Sequence, residues 1–192
     1  TVQASTASNF TGTVSSAAGT DLFANLFTGL QVNTSYYFHV WPAGGPSWST
    51  GPVATWALSP STATPLFSAV GAQALTVSWT AGGNPAGTLY EAQASRGADF
   101  FSQVVVSSFT ANTSATFNSL TPNSVYYARV RAISHGGQPV PTAYRTLSST
   151  GTLASPVSPV APFFQAVSSA SLAALFDSGA NAAGTGYVAQ LS

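Results

Sequence analysis

Residues 120–132 read LTPNSVYYARVRA, and this stretch decides the fold class of the 192-residue chain. From Tyr126 onward every second residue is apolar, while Tyr127, Arg129 and Arg131 stand between them. A period of two is typical of a β-strand with one face in a core and the other toward solvent. Pro, Asn and Ser directly before the strand are turn-forming residues that mark its start. The stretch therefore predicts a turn followed by a half-buried strand.

The same alternation recurs along the rest of the chain. Leu75, Val77 and Trp79 alternate with Thr and Ser, and turn clusters such as GGNP at residues 82–85 separate the apolar runs. No stretch has the period of an amphipathic helix. Seven short strands in roughly 95 residues predict an all-β fold, an antiparallel sandwich of two sheets.

Two internal repeats divide the chain into three units. Residues 65–95 match residues 162–192 at 14 of 31 positions without a gap, at an offset of 97. At a second offset, of 90, the pairs are Phe10 with Phe100, Phe27 with Phe117, Leu30 with Leu120, Tyr36 with Tyr126 and Val40 with Val130. The predicted domains are the C-terminal half of a sandwich in residues 1–60, a complete sandwich in residues 61–158 and the N-terminal half of a further sandwich in residues 159–192.

The complete middle unit resembles the fibronectin type III domains, a family of immunoglobulin-like sandwiches. Trp79 stands in the second strand, and residues 120–126, with Val130 four residues further on, resemble the tyrosine corner of that family at Tyr126. The first unit repeats this corner at Tyr36 without the Pro. The resemblance implies tandem β-sandwiches of the kind found in bacterial adhesins, extracellular filaments and linkers of secreted enzymes. It implies no function by itself.

The composition excludes several classes of function. Charged residues make up 4% of the chain, against about 25% in an ordinary soluble protein, and they comprise four Arg, four acids and no Lys. So few cations give no basic patch for nucleic acid or for an anionic membrane, and no apolar run is long enough for membrane insertion. The chain has no Cys and therefore no disulfide or thiolate site. Ser and Thr dominate the polar surface, which favours self-association or a coat of glycan.

Acids, bases and metal ligands are too few and too scattered for a catalytic or metal site. The six candidates are His39, His135, Glu91, Asp21, Asp99 and Asp177. No two of them have the spacing of a zinc motif or of a local catalytic triad, and calcium needs several carboxylates together. We therefore predict a protein that is not an enzyme, with no cofactor and no metal, in which each charge is isolated and solvated.

Three Asn-x-Ser/Thr sequons make Asn9, Asn33 and Asn112 candidate glycosylation sites. Asn33 has a second interpretation, because it stands in the turn before Tyr36. Asn123 occupies the same place in the middle unit without a sequon, so a structural role in the turn explains Asn33 as well. Both interpretations of Asn33 stay open.

Three Trp residues fall in the last third of the first unit, where the middle unit has polar or small residues. Trp41 follows the inward-facing Val40 by one residue, so its ring is expected to point outward. Trp41 and Trp48 are candidate contacts for a sugar or a protein partner, because exposed aromatic rings stack on both. Trp56 is a candidate core residue of the final strand.

Both terminal units are expected to expose the inner face of an incomplete sandwich, because half a sandwich has no opposing sheet. In the first unit, the accepting face comprises Phe27, Leu30, Tyr36, Phe38 and Val40. In the last unit, the donated face comprises Phe164, Val167, Leu172 and Phe176. If the last unit of one copy completes the first unit of the next, strand addition covers both faces, and a heterologous contact of this kind repeats into a filament.

The predicted function is a structural subunit of an extracellular or cell-surface, pilus-like filament of bacterial origin. Its partners are copies of itself in a head-to-tail homopolymer, with covalent glycans as further candidates. Two alternatives stay open: the next repeat can be joined by a peptide bond, or the chain can be a carbohydrate-binding or spacer module of a larger secreted tandem-repeat protein. Residues 1–5 and 188–192 both align with the strand at 91–95, so this strand is encoded at both ends of the chain. A simple continuation of the repeat would use it once, so the redundancy favours separate chains over a peptide-bonded array.

Overall fold

The computed structural model describes residues 1–18, 26–136 and 140–190. Asp21, one of the predicted isolated charges, lies outside the described residues. The described residues form thirteen β-strands and include no helix that could span a bilayer. The strands are Val2–Ser5 (β1), Val14–Ala17 (β2), Ser35–Val40 (β3), Trp48–Ala54 (β4), Ser61–Ser68 (β5), Leu75–Thr80 (β6), Leu89–Ser95 (β7), Val105–Thr110 (β8), Ser114–Phe117 (β9), Val125–Ile133 (β10), Arg145–Gly151 (β11), Ser158–Ser168 (β12) and Ser171–Asp177 (β13).

Seven of these strands, β5 to β11, form two sheets that face each other across one core, and we call this part the middle sandwich. One sheet has the strand order β5-β6-β9 and the other the order β11-β10-β7-β8. All strand pairs in both sheets are antiparallel. The all-β antiparallel sandwich predicted from the alternation is confirmed.

The core of the middle sandwich combines large side chains of β6 with several Ala residues, and a few larger side chains, of β7 and β10. Leu75, Val77 and Trp79 of β6 are at most 2% exposed, and Ala residues of β7 and β10 belong to the same buried cluster. The rings of Trp79 and Tyr90 meet edge to face, with 5.7 Å between their centroids. Burial of each large apolar side chain stabilises the fold by about 1.5–3 kcal/mol. The small residues let the two sheets approach without overpacking.

Both tyrosine corners place a buried ring next to backbone that binds its hydroxyl. The Tyr126 hydroxyl accepts a hydrogen bond from the backbone N–H of Thr121 at 2.9 Å, and the Tyr36 hydroxyl accepts one from Gln31 at 2.9 Å. The Tyr36 and Tyr126 side chains are 2% and 6% exposed. Because a slip of one residue would invert every side chain of a strand, these two rings define which faces of β3 and β10 point inward.

The first unit forms a single four-stranded sheet with the order β2-β1-β3-β4, which we call the head sheet. Its order repeats the order β8-β7-β10-β11 of the middle sandwich. β1 therefore takes the place of β7, and Ala4 lies opposite Phe38 as Ala94 lies opposite Ala128. Among the described residues, no second sheet packs on the head sheet.

The last unit contributes an antiparallel hairpin of β12 and β13, which we call the tail hairpin. Phe164 lies opposite Ala174 in it, as Phe67 lies opposite Val77 in the pair of β5 and β6. Beyond β13 the described chain, up to Gln190, contains no strand. The tail hairpin is therefore a single layer that repeats the first two strands of the middle sandwich.

Candidate assembly interface

The inner face of the head sheet is the first candidate surface. β3 places Tyr36, Phe38 and Val40 on this face, because alternate residues of a strand share a side. Val40 is 39% exposed, and Trp48 of β4 lies directly opposite it and is 63% exposed. Directly opposed residues of an antiparallel pair lie on one face. Trp48 therefore belongs to the inner face of the head sheet.

The five residues predicted to form the accepting face differ in accessibility. Val40 is exposed and Tyr36 is buried, while Phe27, Leu30 and Phe38 are half-buried. Phe27 packs on Phe38 with 5.9 Å between the ring centroids. Phe117 is the repeat equivalent of Phe27 in the middle sandwich, and it belongs to β9 in the opposing sheet. One ring of that opposing layer therefore already covers part of the head sheet.

The tail hairpin exposes all four residues of the predicted donated face. Phe164, Val167, Leu172 and Phe176 are 66%, 67%, 53% and 44% exposed, respectively. Phe176 contacts Tyr187, with 5.4 Å between the ring centroids. An open apolar cavity of about 450 Å³ lies here, and its lining includes Phe164 and Phe176. In the middle sandwich the sheet of β7 and β10 fills the corresponding space.

Trp56 lies outside both of these faces. It is 74% exposed and follows the end of β4, so the expected core position for Trp56 is wrong. Its backbone carbonyl accepts a hydrogen bond from the N–H of Asn33 at 3.1 Å. Trp56 therefore lies in the linker between the first unit and the middle sandwich.

Three charged residues on the outer face of the middle sandwich, Glu91, Arg129 and Arg131, form a stack with aromatic rings. The Arg129 guanidinium lies 4.2 Å from the ring centroid of Phe100 and 4.0 Å from that of Tyr144, and the Arg131 guanidinium lies 4.4 Å from Tyr144. Glu91 completes the stack by accepting a hydrogen bond from Arg131 Nε at 2.7 Å. The interpretation of Glu91 as an isolated solvated charge is therefore wrong, since it is 5% exposed and ion-paired. This ion pair could not be predicted from the sequence, because Glu91 and Arg131 lie on different strands.

The stack is arranged to support the fold. Burial raises the pKa of Tyr144, and the nearby Glu91 carboxylate raises it further, while the two arginines lower it. Arg129 donates to the Gln93 side chain at 2.8 Å, so its charge is also bound within the sheet. Cation–π contacts of this kind each contribute about 0.5–2 kcal/mol. These groups bind one another, which suits a structural role.

The head sheet repeats this stack with a different set of rings. Phe10, His39 and Trp41 stand at the repeat positions of the stacked Phe and the two Arg of the middle sandwich. The ring centroids lie 5.0 Å apart for Phe10 and His39 and 4.7 Å apart for His39 and Trp41. Trp41 is half-buried by this contact. It lies on the outer face of the head sheet, opposite to the face that holds Trp48.

The remaining acids do not converge on one site. Asp99 accepts hydrogen bonds from the N–H groups of Phe101 and Ser102 and from the Ser102 hydroxyl, and these bonds lower the pKa of Asp99. Asp177 accepts one from the N–H of Gly179 at 2.6 Å. Within the described ranges, no three His, Asp or Glu side chains lie close enough together to hold a metal ion.

The junction between consecutive units is a second candidate feature, which sequence reasoning missed. Asn33, in the turn before β3, is fully buried and has a left-handed φ of +44°. Its Nδ2 donates to Thr88 Oγ1 in the middle sandwich at 2.8 Å, and its Oδ1 accepts from the His135 N–H at 2.6 Å. One unit further along, Asn123 Nδ2 donates to Thr185 Oγ1 at 2.9 Å. The same kind of Asn-to-Thr hydrogen bond therefore occurs at two successive junctions.

The linkers between the units repeat as well. Asn84 accepts from the N–H of Leu58 and donates to its carbonyl, both at 2.7 Å. Asn181 binds Ser155 in the same two ways, at 2.7 and 3.0 Å. Two positions before Asn84, Gly82 has φ +67°, and a Cβ there would collide with the linker backbone. The sequence signal for these contacts was the internal repeat, which aligns each of these Asn residues with its equivalent.

The three sequons differ in accessibility. Asn9 and Asn112 are exposed. The Asn33 amide is buried and donates to Thr88, so the folded junction has no room for a glycan at that nitrogen. This geometry favours the structural interpretation of Asn33 and leaves Asn9 and Asn112 as the candidate glycosylation sites.

Comparison with known proteins identifies the family of the middle sandwich. Residues 59–146 match the sequence profile of the Fibronectin type III domain. This part of the chain is a fibronectin type III domain. The match extends from the linker before β5 to the first residues of β11. No curated protein matches the sequence. Domains of this family are structural or spacer modules, and membership of the family does not by itself define a binding partner.

Matches among solved structures include natural multi-domain fragments and a redesigned domain. A multi-domain fragment of titin aligns with a TM-score of 0.39 and 18% identity, over 62% of this chain and 41% of that one. The FN1-FN3 domains of chicken CNTN1 align with a TM-score of 0.35 and 15% identity, over 79% and 54%. A computationally redesigned β-sandwich protein has a TM-score of 0.29 and 25% identity, over 43% and 87%. The chain thus spans less than two thirds of the titin and CNTN1 fragments.

Proposed function

We propose that the chain is a rod-forming structural segment of an extracellular protein, in which fibronectin type III sandwiches stack end to end. The observation that carries the proposal is the repeated junction, where Asn33 and Asn123 make the same contact to the next unit and Asn84 and Asn181 hold the linker in the same way. Because these contacts recur, successive units take the same orientation. A fixed orientation at every step gives a rod, whereas unrestrained linkers give a flexible string of domains.

The rod continues from copy to copy by complementation of half-sandwiches. The head sheet repeats one sheet of the middle sandwich, and the tail hairpin repeats two of the three strands of the other. The tail hairpin of one copy can therefore cover the head sheet of the next in the way that the middle sandwich already shows. Since this contact joins two different surfaces, it repeats without closing and yields a filament. The low charge of the chain suits surfaces that neighbours or glycans cover.

Apolar burial drives this contact. The four side chains of the donated face are between 44% and 67% exposed, so each has about half of its surface left to bury. Full burial of such a side chain stabilises by about 1.5–3 kcal/mol, and half of this for four side chains is about 3–6 kcal/mol. Val40 and Trp48 add to this from the accepting side. Part of the sum offsets the entropy lost on association.

The size of the protein in solution tests the filament. Sedimentation velocity of the wild-type chain should show particles whose mass rises with concentration, and electron microscopy should show filaments. Deletion of residues 159–192 should leave monomers in which the middle sandwich keeps its melting transition. Filaments should persist at about 1 M salt, because screening weakens ion pairs and leaves apolar burial intact. Monomers at every concentration, or filaments of normal length after the deletion, would overturn the filament.

Small-angle X-ray scattering tests the rod separately from the filament. Dilute monomers should scatter as an elongated particle with one fixed arrangement of units. Substitution of Asn33 by Gly should broaden the distribution of dimensions, because it removes the contacts that hold the first junction. Wild-type scattering that requires an ensemble of freely jointed units would overturn the rod.

A spacer within a longer covalent array is the second candidate function. The observation that favours it is the fibronectin type III match of residues 59–146, because domains of this family serve as structural or spacer modules of larger proteins. Against it, residues 1–5 and 188–192 both align with the strand at 91–95, whereas a covalent array would use this strand only once in each unit. The mass of the polypeptide isolated from its natural source separates the two functions, since a covalent array has many times the mass of one unit. Sugar binding by Trp41 is less favoured, because its ring already contacts His39.

A further inference from the structure

We propose that the two open faces are matched to each other by side-chain size, so that the tail hairpin of one copy recognises the head sheet of a second copy of this chain. The inference rests on the filament function proposed above and names what selects the partner. The middle sandwich supplies the reference, because the same two kinds of sheet meet there in one closed, buried core. Both open faces differ from this reference at specific inward positions.

The tail hairpin has smaller side chains at two inward positions. Val77 and Trp79 of β6 are 0% and 2% exposed in the middle core, and they correspond to Ala174 and Phe176 of β13. A tail hairpin that met a sheet like that of β7 and β10 would therefore leave space unfilled. Unfilled space in a core is destabilising, because the lining atoms lose their packing partners.

The head sheet has larger side chains at two inward positions. Ala92 of β7 and Ala128 of β10 are 0% and 1% exposed, and they correspond to Val2 of β1 and Phe38 of β3. A head sheet that met a layer like that of β5 and β6 would be overpacked, because an extra valine and phenylalanine would enter a core that is already filled. Phe38 is half-buried, so part of its ring remains available to a partner.

The smaller side chains of the tail hairpin and the larger side chains of the head sheet compensate for each other only when these two surfaces meet. The added volume of Val2 and Phe38 then enters the space left by Ala174 and Phe176. None of these four residues carries a charge, so the choice of partner depends on size and shape. Specificity arises as a difference between packings, because each wrong pairing leaves a void or a clash.

The test exchanges side-chain size between the two faces of the full chain. Phe38→Ala gives the head sheet the residue of the middle sandwich, and Ala174→Val with Phe176→Trp does the same for the tail hairpin. Either change alone should weaken association in sedimentation velocity by about tenfold, which corresponds to about 1.4 kcal/mol. The variant with all three substitutions should recover association to within a few-fold of wild type, because positions 38, 174 and 176 then all have the residues of the middle core and only Val2 still differs.

Phe101→Ala is the matched control for loss of a phenylalanine. Phe101 is 87% exposed in the loop after β7 and belongs to neither face, so its removal should leave association unchanged. Near-ultraviolet circular dichroism checks that each variant is folded. If Phe38→Ala unfolds the head sheet, Val2→Ala is the second head variant, and Ala174→Val should rescue it in the same way.

The outcomes separate the inference from the function on which it rests. Association of the wild type without recovery in the triple variant would overturn size matching and leave the filament standing. Association that survives deletion of residues 159–192 would show that head sheets pair with one another, which also overturns size matching. A wild-type chain that remains monomeric would overturn the filament, and size matching with it.

Discussion

Replacement of Asn33 by Gly or Ala is expected to loosen the junction between the first unit and the middle sandwich. The Asn33 side chain is fully buried and makes two hydrogen bonds across the junction, to Thr88 at 2.8 Å and from the His135 N–H at 2.6 Å. Its φ of +44° is a left-handed conformation that Asn and Gly adopt far more readily than Ala. The two substitutions therefore separate the loss of hydrogen bonds from backbone strain.

The lost hydrogen bonds account for the larger part of the expected decrease in junction stability. Without the Asn33 carbonyl, the partly buried N–H of His135 loses its acceptor, which costs about 1–3 kcal/mol. Thr88 Oγ1 keeps its donation to the Pro85 carbonyl at 2.8 Å, so the loss on that side is smaller. We expect Asn33→Gly to cost about 1–3 kcal/mol of junction stability. Asn33→Ala should cost a further ~1–2 kcal/mol, because Ala must adopt the left-handed conformation.

Asn123→Gly is the matched control in the second junction. Asn123 has a φ of +48° and makes the equivalent bond to Thr185, but it is exposed. Water can replace the lost partner there, so the expected cost is only about 0.5–1 kcal/mol. The difference between the two Gly variants therefore measures the effect of burial.

Amide hydrogen exchange followed by NMR measures the first junction directly. Asn33→Gly should speed exchange of the His135 amide by about 5- to 150-fold, which corresponds to about 1–3 kcal/mol. Asn123→Gly should leave that amide unchanged, because it acts at the other end of the middle sandwich. An unchanged exchange rate at His135 in a folded Asn33→Gly variant would refute the assignment of Asn33 to the junction.

Three further predictions concern the middle sandwich. Tyr126→Phe removes the hydroxyl that accepts from Thr121 and should lower the free energy of unfolding in urea by about 0.5–1.5 kcal/mol; equal stability would mean that the corner bond contributes nothing. Glu91→Gln should lower it by about 1–3 kcal/mol, less than for a fully buried pair because the Arg131 side chain is 29% exposed. A Glu91→Gln loss that vanishes at about 1 M salt would indicate an ordinary surface pair instead. Acid should loosen the loop at Asp99: hydrogen bonds lower its pKa, so their stabilisation is complete above about pH 4 and is lost as the pH falls further. The Ser102 amide shift should report this transition, and its persistence in Asp99→Asn would contradict the assignment.

Local pattern in the sequence determined the strands and the direction of their side chains. The alternation from Tyr126 predicted the inward positions of β10, and Tyr126, Ala128, Val130 and Ala132 are all buried. The repeat offsets likewise predicted a shared strand pattern in residues 65–95 and 162–192. β12 and β13 do repeat β5 and β6, whereas the described residues after β13, up to Gln190, form no strand equivalent to β7. These features depend on residues a few positions apart or on identity between copies, so one sequence can carry them.

Only the tertiary structure decided which distant residues meet. Glu91 and Arg131 are 40 positions apart and became an ion pair because β7 and β10 align in one register. Trp48 joined the inner face through its pairing with Val40, and Asn33 reached Thr88 because the turn before β3 lies against the residue that precedes β7 in the middle sandwich. Strand register and unit orientation are set by packing summed over the whole fold, and no local pattern in the sequence contains that sum.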